Sequence, residues 1–204
     1  MLTLVIAEAE LELIPPSLYH HPVIRRSAQK RKKSPQHILL DSNFHHKALN
    51  NLPEGYRRGR PDIIHVTLLC MLESILNKEG HLTCYIHTRN DEIISIDAKT
   101  RIPRSYNRFC GLMEQVLREG AINELLHIEY MSLSALLETL PGKKVLMHRK
   151  GEYLELSPHM VCIIGGFPHG DFHAQLPYPS CTLSSHSLSA WTVATELTVR
   201  YELL

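Results

Sequence analysis

The stretch VCIIGGFPHG, residues 161–170, runs from an unbroken apolar segment directly into two glycines. A short apolar run that ends at turn residues is typical of a strand buried on both faces, as in a parallel sheet. Glycine lets the backbone approach a ligand closely where such a strand ends. The stretch therefore predicts a buried strand followed by a ligand-binding loop, with a tight structural turn as the alternative.

The segments on either side of this stretch alternate between strand and helix patterns. Strands are predicted at 2–7, 37–41, 82–87, 92–97, 125–130 and 144–148, and helices at 62–77, 105–119, 132–139 and 187–202. A turn-rich stretch, 176–187, precedes the last helix. Strands that alternate with helices predict an α/β fold with a mainly parallel sheet.

The composition places the chain among globular proteins. Of its 204 residues 44% are hydrophobic and 21% are charged, which excludes wholesale disorder, collagen and coiled coil. No apolar run approaches the roughly 20 residues that cross a bilayer, and the N-terminus lacks the pattern of a signal peptide. Five cysteines without a C-x-x-C pair favour reduced thiols, so we expect a cytoplasmic protein without a membrane partner.

Fourteen histidines raise the question of a metal site. The tightest pair with ligand spacing is His169 and His173, but Pro168 and Gly170 disfavour the helix that would point both rings the same way. We therefore expect surface or hydrogen-bonded histidines and no metal. A metal-dependent hydrolase that uses the histidines is the alternative.

Charge is unevenly distributed along the chain. Residues 1–108 hold 16 Lys and Arg against 11 Asp and Glu, whereas residues 109–204 hold 6 against 10. A basic half joined to an acidic half favours a polyanionic partner on one face. Residues 22–37 hold six basic residues and no acidic one, which predicts a mobile arm or exposed loop. That segment is either a solvated linker or an arm that contacts phosphates.

Arginines recur in the stretch RIPRSYNRFCGLM, residues 101–113. Arg101, Arg104 and Arg108 are spaced by three and four residues, so they can share one helical stripe, with Arg101 placed just before the helix by Pro103. One helical turn separates Arg104 from Arg108 by about 6 Å, which suits two neighbouring phosphates. A solvated cationic face is the alternative.

Two aromatic residues of the same stretch, Tyr106 and Phe109, can stack on bases. Their helical spacing, however, favours packing in the core or between subunits.

Two further motifs contain polar groups suited to a binding site. In RRGRPD, residues 57–62, the Asp62 carboxylate can brace the Arg60 guanidinium, or it can serve only to cap a helix. In LSSHSL, residues 183–188, three serines offer hydroxyls and backbone N–H groups at a helix N-terminus, or they act as simple caps. This loop and the glycine loop can together form one pocket for a small ligand with polar edges.

Common catalytic signatures are missing. The chain has no G-x-x-x-x-G-K-[ST], no G-x-S-x-G, no H-E-x-x-H and no G-x-G-x-x-G after its first strand. P-loop nucleotide hydrolases and common hydrolases are thereby excluded, and an ordinary dinucleotide-binding enzyme is disfavoured.

The order of the motifs resembles a known family. These motifs are LLD (39–41), RRGRPDIIH (57–65), RIPRSYNRFCGLM (101–113), IIGGFPHGDF (163–172) and LSSHSLSAW (183–191). Together they resemble the ribosome-biogenesis RNA methyltransferases of the SPOUT superfamily that methylate N1 of pseudouridine, the essential-for-mitotic-growth family, in its compact archaeal form. The resemblance spans nearly the whole chain, and its arginine motifs are more specific than its glycine loop.

The resemblance implies one SPOUT domain over residues 1–204, with a basic loop about 22–37, a hairpin extension about 82–110 and a C-terminal trefoil knot. It also implies a homodimer that binds S-adenosylmethionine and a small-subunit ribosomal RNA hairpin loop carrying pseudouridine. The implied cofactor residues are Leu146, Gly165, Gly170, Leu183, Ser184, Ser185, His186, Ser187 and Leu188. The implied RNA-binding residues are Arg60, Arg101, Arg104 and Arg108, with Asp62 holding Arg60. At Met147 the chain departs from the hydroxyl residue that relatives often carry there.

Methyl transfer from a sulfonium donor depends mainly on alignment and on exclusion of water. Asp62 is the candidate base for the N1 proton, but pairing with Arg60 would favour its ionised form and weaken its basicity. We therefore expect Asp62 to orient Arg60. A non-catalytic RNA-binding assembly factor that uses the same arginines is the alternative function, and binding of S-adenosylmethionine distinguishes the two.

Overall fold

One mixed sheet of eight strands runs through the molecule, and the computed structural model describes all residues, 1–204. The strands are β1 (Leu2–Ala9), β2 (Leu82–Thr88), β3 (Glu92–Ile96), β4 (Ala121–Ile122), β5 (Leu126–Tyr130), β6 (Lys143–Tyr153), β7 (Met160–Gly165) and β8 (Ser180–Thr182). The helices are α1 (Pro22–Arg31), α2 (Ser42–Leu49), α3 (Pro61–Leu72), α4 (Ile75–Lys78), α5 (Tyr106–Glu119), α6 (Leu133–Thr139) and α7 (Ala190–Glu202). Two short 3-10 helices cover Pro16–Leu18 and Pro35–His37.

The strand order is β4-β5-β3-β2-β1-β7-β6-β8. Strands β2, β1, β7, β6 and β8 form a parallel block, and β3, β5 and β4 extend it as antiparallel strands. Strand β1 is central and fully buried, with Leu2 opposite both Leu82 and Met160. The prediction of an α/β fold with a mainly parallel sheet is confirmed, and so is the hairpin of β2 and β3.

Two predicted segments, one helix and one strand, differ from the observed structure. The predicted helix 62–77 is interrupted after α3, because Ser74 accepts a hydrogen bond from the Asn77 N–H and starts α4 as a new helix. The predicted strand 37–41 is only a single antiparallel bridge between Leu13 and Leu39. The Leu39 N–H donates to the Glu114 carboxylate, so this residue contributes no further ladder hydrogen bond.

The expected mobile arm or exposed loop at 22–37 is wrong, because most of it is helix α1. Pro22 occupies the first helical position and the His21 side chain accepts from the Val23 N–H. Ile24 and Ala28, four residues apart, pack into a small core of their own. The dense positive charge of this segment concealed that apolar pair.

The C-terminal part holds an unpredicted strand. Within the turn-rich stretch 176–187, the three residues of β8 pair with the edge of β6. Strand β6 continues beyond the predicted 144–148, and α7 begins at Ala190 rather than at 187. No helix of the structure combines the length and the apolar character that crossing a membrane requires.

Candidate functional site

A cavity of about 530 Å³ lies where β7 and β8 end, beside β6. Two loops form its walls, the glycine loop after β7 and the loop between β8 and α7, and Arg60 from the start of α3 reaches it. Trp191 and Val193 of α7 contribute apolar surface. The two loops that the sequence singled out therefore meet in one cavity, as predicted.

The glycine loop depends on its glycines for packing. A side chain on Gly165 would place its Cβ 2.7 Å from the Phe167 ring, and one on Gly166 would lie 2.7 Å from the Cα of Ala9. Gly170 has a φ of +88°, which L residues rarely adopt. The structural-turn and ligand-loop interpretations are thus compatible, because the same tight turn lines the cavity.

The loop between β8 and α7 is held by its own hydroxyls. Thr182 donates its hydroxyl proton to the Ser184 carbonyl, and Ser184 Oγ accepts from the His186 N–H. The helix cap is Ser189, which makes no side-chain capping bond, so the three serines of LSSHSL are not caps of α7. His186, Ser187 and Leu188 face the cavity.

Six of the nine predicted cofactor residues line the cavity: Gly165, Gly170, Leu183, His186, Ser187 and Leu188. The other three, Leu146, Ser184 and Ser185, do not line it. Leu146 instead packs against the apolar cluster on the opposite face of the sheet, and its neighbour Met147 lines the cavity. Successive side chains of a strand point to opposite faces, which explains the exchange.

Arg60 and Asp62 form the predicted ion pair, and it is bidentate. Nε donates to Oδ1 and Nη2 donates to Oδ2, both at 2.8 Å, so both carboxylate oxygens are engaged. The hydrogen bond to Asp62 raises the pKa of the Arg60 guanidinium. Asp62 lies in the first turn of α3 but makes no capping bond there, which favours the bracing role over the capping alternative.

A buried charge cluster that no sequence motif predicted supports the glycine loop. The Arg57 guanidinium is buried, donates to Glu8 and Glu10, and donates at 2.8 Å to the Asp171 carbonyl in the loop. Glu8 also accepts from the backbone N–H of His173. Three acidic residues at alternate positions, 8, 10 and 12, directly after an apolar run were the available signal, since buried carboxylates demand cationic partners.

The arginine stretch is ordered by contacts to its neighbours. Helix α5 begins at Tyr106, so Arg101 and Arg104 both precede it and only Arg108 is helical; the prediction of a helical spacing between Arg104 and Arg108 is wrong. All three arginines are exposed. The His65 ring bonds the Pro103 carbonyl at 2.8 Å, which fixes the extended part of this stretch.

Of the two aromatic residues in this stretch, Phe109 is fully buried and stacks on His65, so packing and not base stacking describes it. Tyr106 donates to the Asp41 carboxylate at 2.6 Å. Burial and this hydrogen bond raise the pKa of Tyr106, which keeps its hydroxyl a proton donor.

The two histidines considered for metal binding have different surroundings. His169 lines the cavity, whereas His173 contacts Glu54 at 3.1 Å. No group of three or more His, Cys, Asp or Glu side chains is placed to hold a metal ion.

Comparison with known proteins matches these features to one family. The family model described as EMG1/NEP1 methyltransferase matches residues 4–202. The Thermococcus kodakarensis protein named ribosomal RNA small subunit methyltransferase Nep1 is 49% identical, over 99% of this chain and 98% of that protein. The Pyrococcus furiosus protein of the same name is 46% identical, over 98% and 96%.

A solved structure is also similar, the crystal structure of Archaeoglobus fulgidus Nep1 bound to S-adenosylhomocysteine. It has a TM-score of 0.91 and 36% sequence identity, over 98% of this chain and 97% of that one.

Proposed function

The chain belongs to the EMG1/NEP1 methyltransferase family, and from this premise we propose that it methylates N1 of a pseudouridine in a small-subunit ribosomal RNA hairpin loop. Its methyl donor is S-adenosylmethionine, and its fold is that of the SPOUT methyltransferases. The methylated nucleotide and its atom are the part of this proposal that extends beyond family membership.

One observation carries the proposal: Arg60 is part of the wall of the cavity formed by the two loops. A side chain that can hold RNA thus stands at the rim of a pocket that can hold a small cofactor. Because Asp62 fixes the guanidinium in one orientation, Arg60 can present a nucleotide to the cavity without a further ordering cost.

The cavity suits S-adenosylmethionine in size and in surface. Its volume falls within the range of about 300–1,000 Å³ that is usual for small-ligand pockets. Gly165 and Gly170 allow the backbone to approach a ligand closely, and the 183–188 loop offers polar groups. We assign Gly165, Gly170, Leu183, His186, Ser187 and Leu188 to the cofactor; Leu146, Ser184 and Ser185 can serve it only through their backbone or as supports.

When bound, the cofactor supplies a methyl group on a positively charged sulfur, which is already activated for displacement. The residues of the chain then have to align the base nitrogen with that methyl group and exclude water. The methyl group would pass from sulfur to N1, S-adenosylhomocysteine would remain as the leaving group, and the N1 proton would pass to solvent. Both Asp62 oxygens accept from Arg60, so we propose Asp62 as a positioning residue and not as the base.

The exposed arginines 101, 104 and 108 are proposed to bind phosphates next to the target nucleotide. A loop nucleotide can be splayed away from its neighbours into a pocket of this kind. The hydrogen bond from His65 to the Pro103 carbonyl holds the backbone between Arg101 and Arg104, whose side chains are exposed.

We also propose that residues 1–204 form one domain with a C-terminal trefoil knot, and that the protein works in the cytoplasm as a homodimer. Membership of the EMG1/NEP1 family over nearly the whole chain supports these proposals. Light scattering of the purified protein tests the dimer, and a monomer at all concentrations contradicts it.

Mass spectrometry of a pseudouridine-containing hairpin after incubation with S-adenosylmethionine tests the reaction. We expect a mass gain of one methyl group on the pseudouridine hairpin and none on the matched uridine hairpin, which lacks the second ring N–H. Methylation of both contradicts the N1 assignment. Calorimetric titration with S-adenosylmethionine that shows no binding would indicate a non-catalytic assembly factor instead.

A further inference from the structure

Helix α1 and the two residues after it carry six exposed cations: Arg25, Arg26, Lys30, Arg31, Lys32 and Lys33. Residues 13–40 contain no Asp or Glu. Within the whole molecule, the only carboxylate that these cations pair with is Glu114 of α5, which binds Arg31 and Lys33. Arg25, Arg26, Lys30 and Lys32 form no salt bridge, so the surface keeps a large excess of positive charge.

This surface, which we call the α1 surface, is held in place by packing and by an ion pair. Ile24 and Ala28 pack into a separate small core with Ile38, Leu40 and Ala48. The buried Glu114 carboxylate ties the end of α1 to α5, and it also accepts from the Leu39 N–H at 3.0 Å. The cations therefore stand on a fixed support, which lowers the entropic cost of binding a partner.

The cations of α1 repel one another. Arg26 and Lys30 are four residues apart, and like charges at this spacing destabilise a helix. No acidic residue occupies the first turn of α1, whereas Lys30 and Arg31 lie in its last turn, where the helix dipole favours positive charge. The repulsion between Arg26 and Lys30 has no paired carboxylate to offset it, and a bound polyanion would supply one.

The α1 cations continue the surface that bears Arg108. On α5, Glu114 faces α1, and Arg108 is about 120° further around the helix. Asn107 and Gly111 lie on the arc between them. Asn107 is exposed, and nothing stands within 4 Å of the place where a Cβ on Gly111 would be. An RNA backbone can pass over this open arc from one set of cations to the other.

We propose that the α1 surface binds phosphates of the RNA stem that flanks the target loop. The proposal rests on the proposed function, since the hairpin that enters the cavity must have a stem leading away from the arginines 101–108. Six cations on one helix and its end suit the closely spaced phosphates of a duplex backbone, which are bound irrespective of sequence.

Binding of two hairpins with the same loop tests this role, one with a short stem and one with its stem longer by a helical turn. The triple variant Arg25→Gln/Arg26→Gln/Lys30→Gln removes three exposed charges and retains good helix formers. We expect it to lose about tenfold in affinity for the long hairpin, with a salt slope lower by about 2, and to change little with the short one.

The matched control is Lys78→Gln/Lys99→Gln/Lys143→Gln, three exposed charges at the end of the sheet where its parallel strands begin. It should bind both hairpins as the wild type does, and both variants should bind S-adenosylhomocysteine unchanged. The inference alone is contradicted if the two triple variants lose equal affinity for the long hairpin. It is also contradicted if the α1 variant loses no affinity while the wild type methylates its hairpin. A wild type that methylates neither hairpin contradicts the proposed function and the inference with it.

Discussion

The Arg57 guanidinium lies 3.9 Å above the centre of the Phe167 ring. The same side chain is held by the carboxylates of Glu8, in β1, and of Glu10, just after it, and donates to the backbone of the glycine loop. Arg57 therefore links the central strand to the wall of the cavity, and it does so three residues before Arg60. The proposed cofactor loop and the arginine proposed to orient RNA therefore both lie next to this buried side chain.

Replacing Arg57 by Met should lower the free energy of unfolding by about 3–5 kcal/mol, because Glu8 and Glu10 lose a buried partner. Arg57→Lys keeps the charge but not the planar fork, so it should also weaken cofactor binding. Urea unfolding and calorimetry measure the two effects. Arg118→Met, which breaks only an exposed pair with Glu119, is the control and should cost less than about 1 kcal/mol.

Asp62→Asn should lower RNA affinity about tenfold while S-adenosylhomocysteine binding stays unchanged, because Arg60 loses its brace. Filter binding and calorimetry give the two constants. Glu73→Gln, which breaks an exposed pair with Lys78, should alter neither. A variant that binds RNA normally but has lost turnover would show that Asp62 acts as the base.

Changing any one of Arg101, Arg104 and Arg108 to Ala should weaken binding to hairpins of every sequence. Each lost phosphate contact should flatten the dependence of affinity on salt by about 0.7–0.9 in logarithmic slope. Fluorescence titrations over a range of salt concentrations measure it. An unchanged slope in all three variants would identify the arginines as ordinary surface charges.

Gly165→Ala should lower cofactor affinity, since the new methyl group would lie 2.7 Å from the Phe167 ring and force it to move. Crowding of this kind typically costs about 1–3 kcal/mol of stability. Gly111→Ala is the matched control, with nothing within 4 Å of the added carbon, and should leave cofactor affinity as it is. Equal affinities in both variants would contradict a role for the glycine turn in binding.

His45 should make stability depend on pH. Its Nδ1 accepts from the Asp41 N–H, and burial lowers the pKa of the ring below 6.5. The unfolded chain then binds more protons than the folded one, so stability is lost as the pH falls below about 6.5. Melting temperatures between neutral pH and about pH 5 should fall more for the wild type than for His45→Gln. Parallel curves for the two proteins would rule this out.

Local patterns predicted most of the fold and the place of the cavity. The alternation of strands and helices, the hairpin and the paired Arg60 and Asp62 all follow from residues close together in the sequence. Such features are encoded within a few residues and need no knowledge of distant partners.

The features that the sequence did not predict depend on residues far apart in the chain, or on apolar residues that lie among many charged ones. Arg57 meets Glu8 across 49 residues and Asp171 across 114, and no local pattern encodes such a contact. The apolar pair Ile24 and Ala28 lies among cations, so the sequence pattern of α1 predicts a loop. The choice between Leu146 and Met147 required the strand to be placed in its sheet, because a shift of one residue exchanges the two faces.

The central position of β1 shapes how the protein is made. Its residues leave the ribosome before those of both partner strands, since Leu2 pairs on one side with Leu82 and on the other with Met160. One side of this apolar strand therefore has no partner until β7 has been translated. Pairings between segments so far apart in the chain make folding slow and expose the nascent polypeptide to aggregation in the meantime.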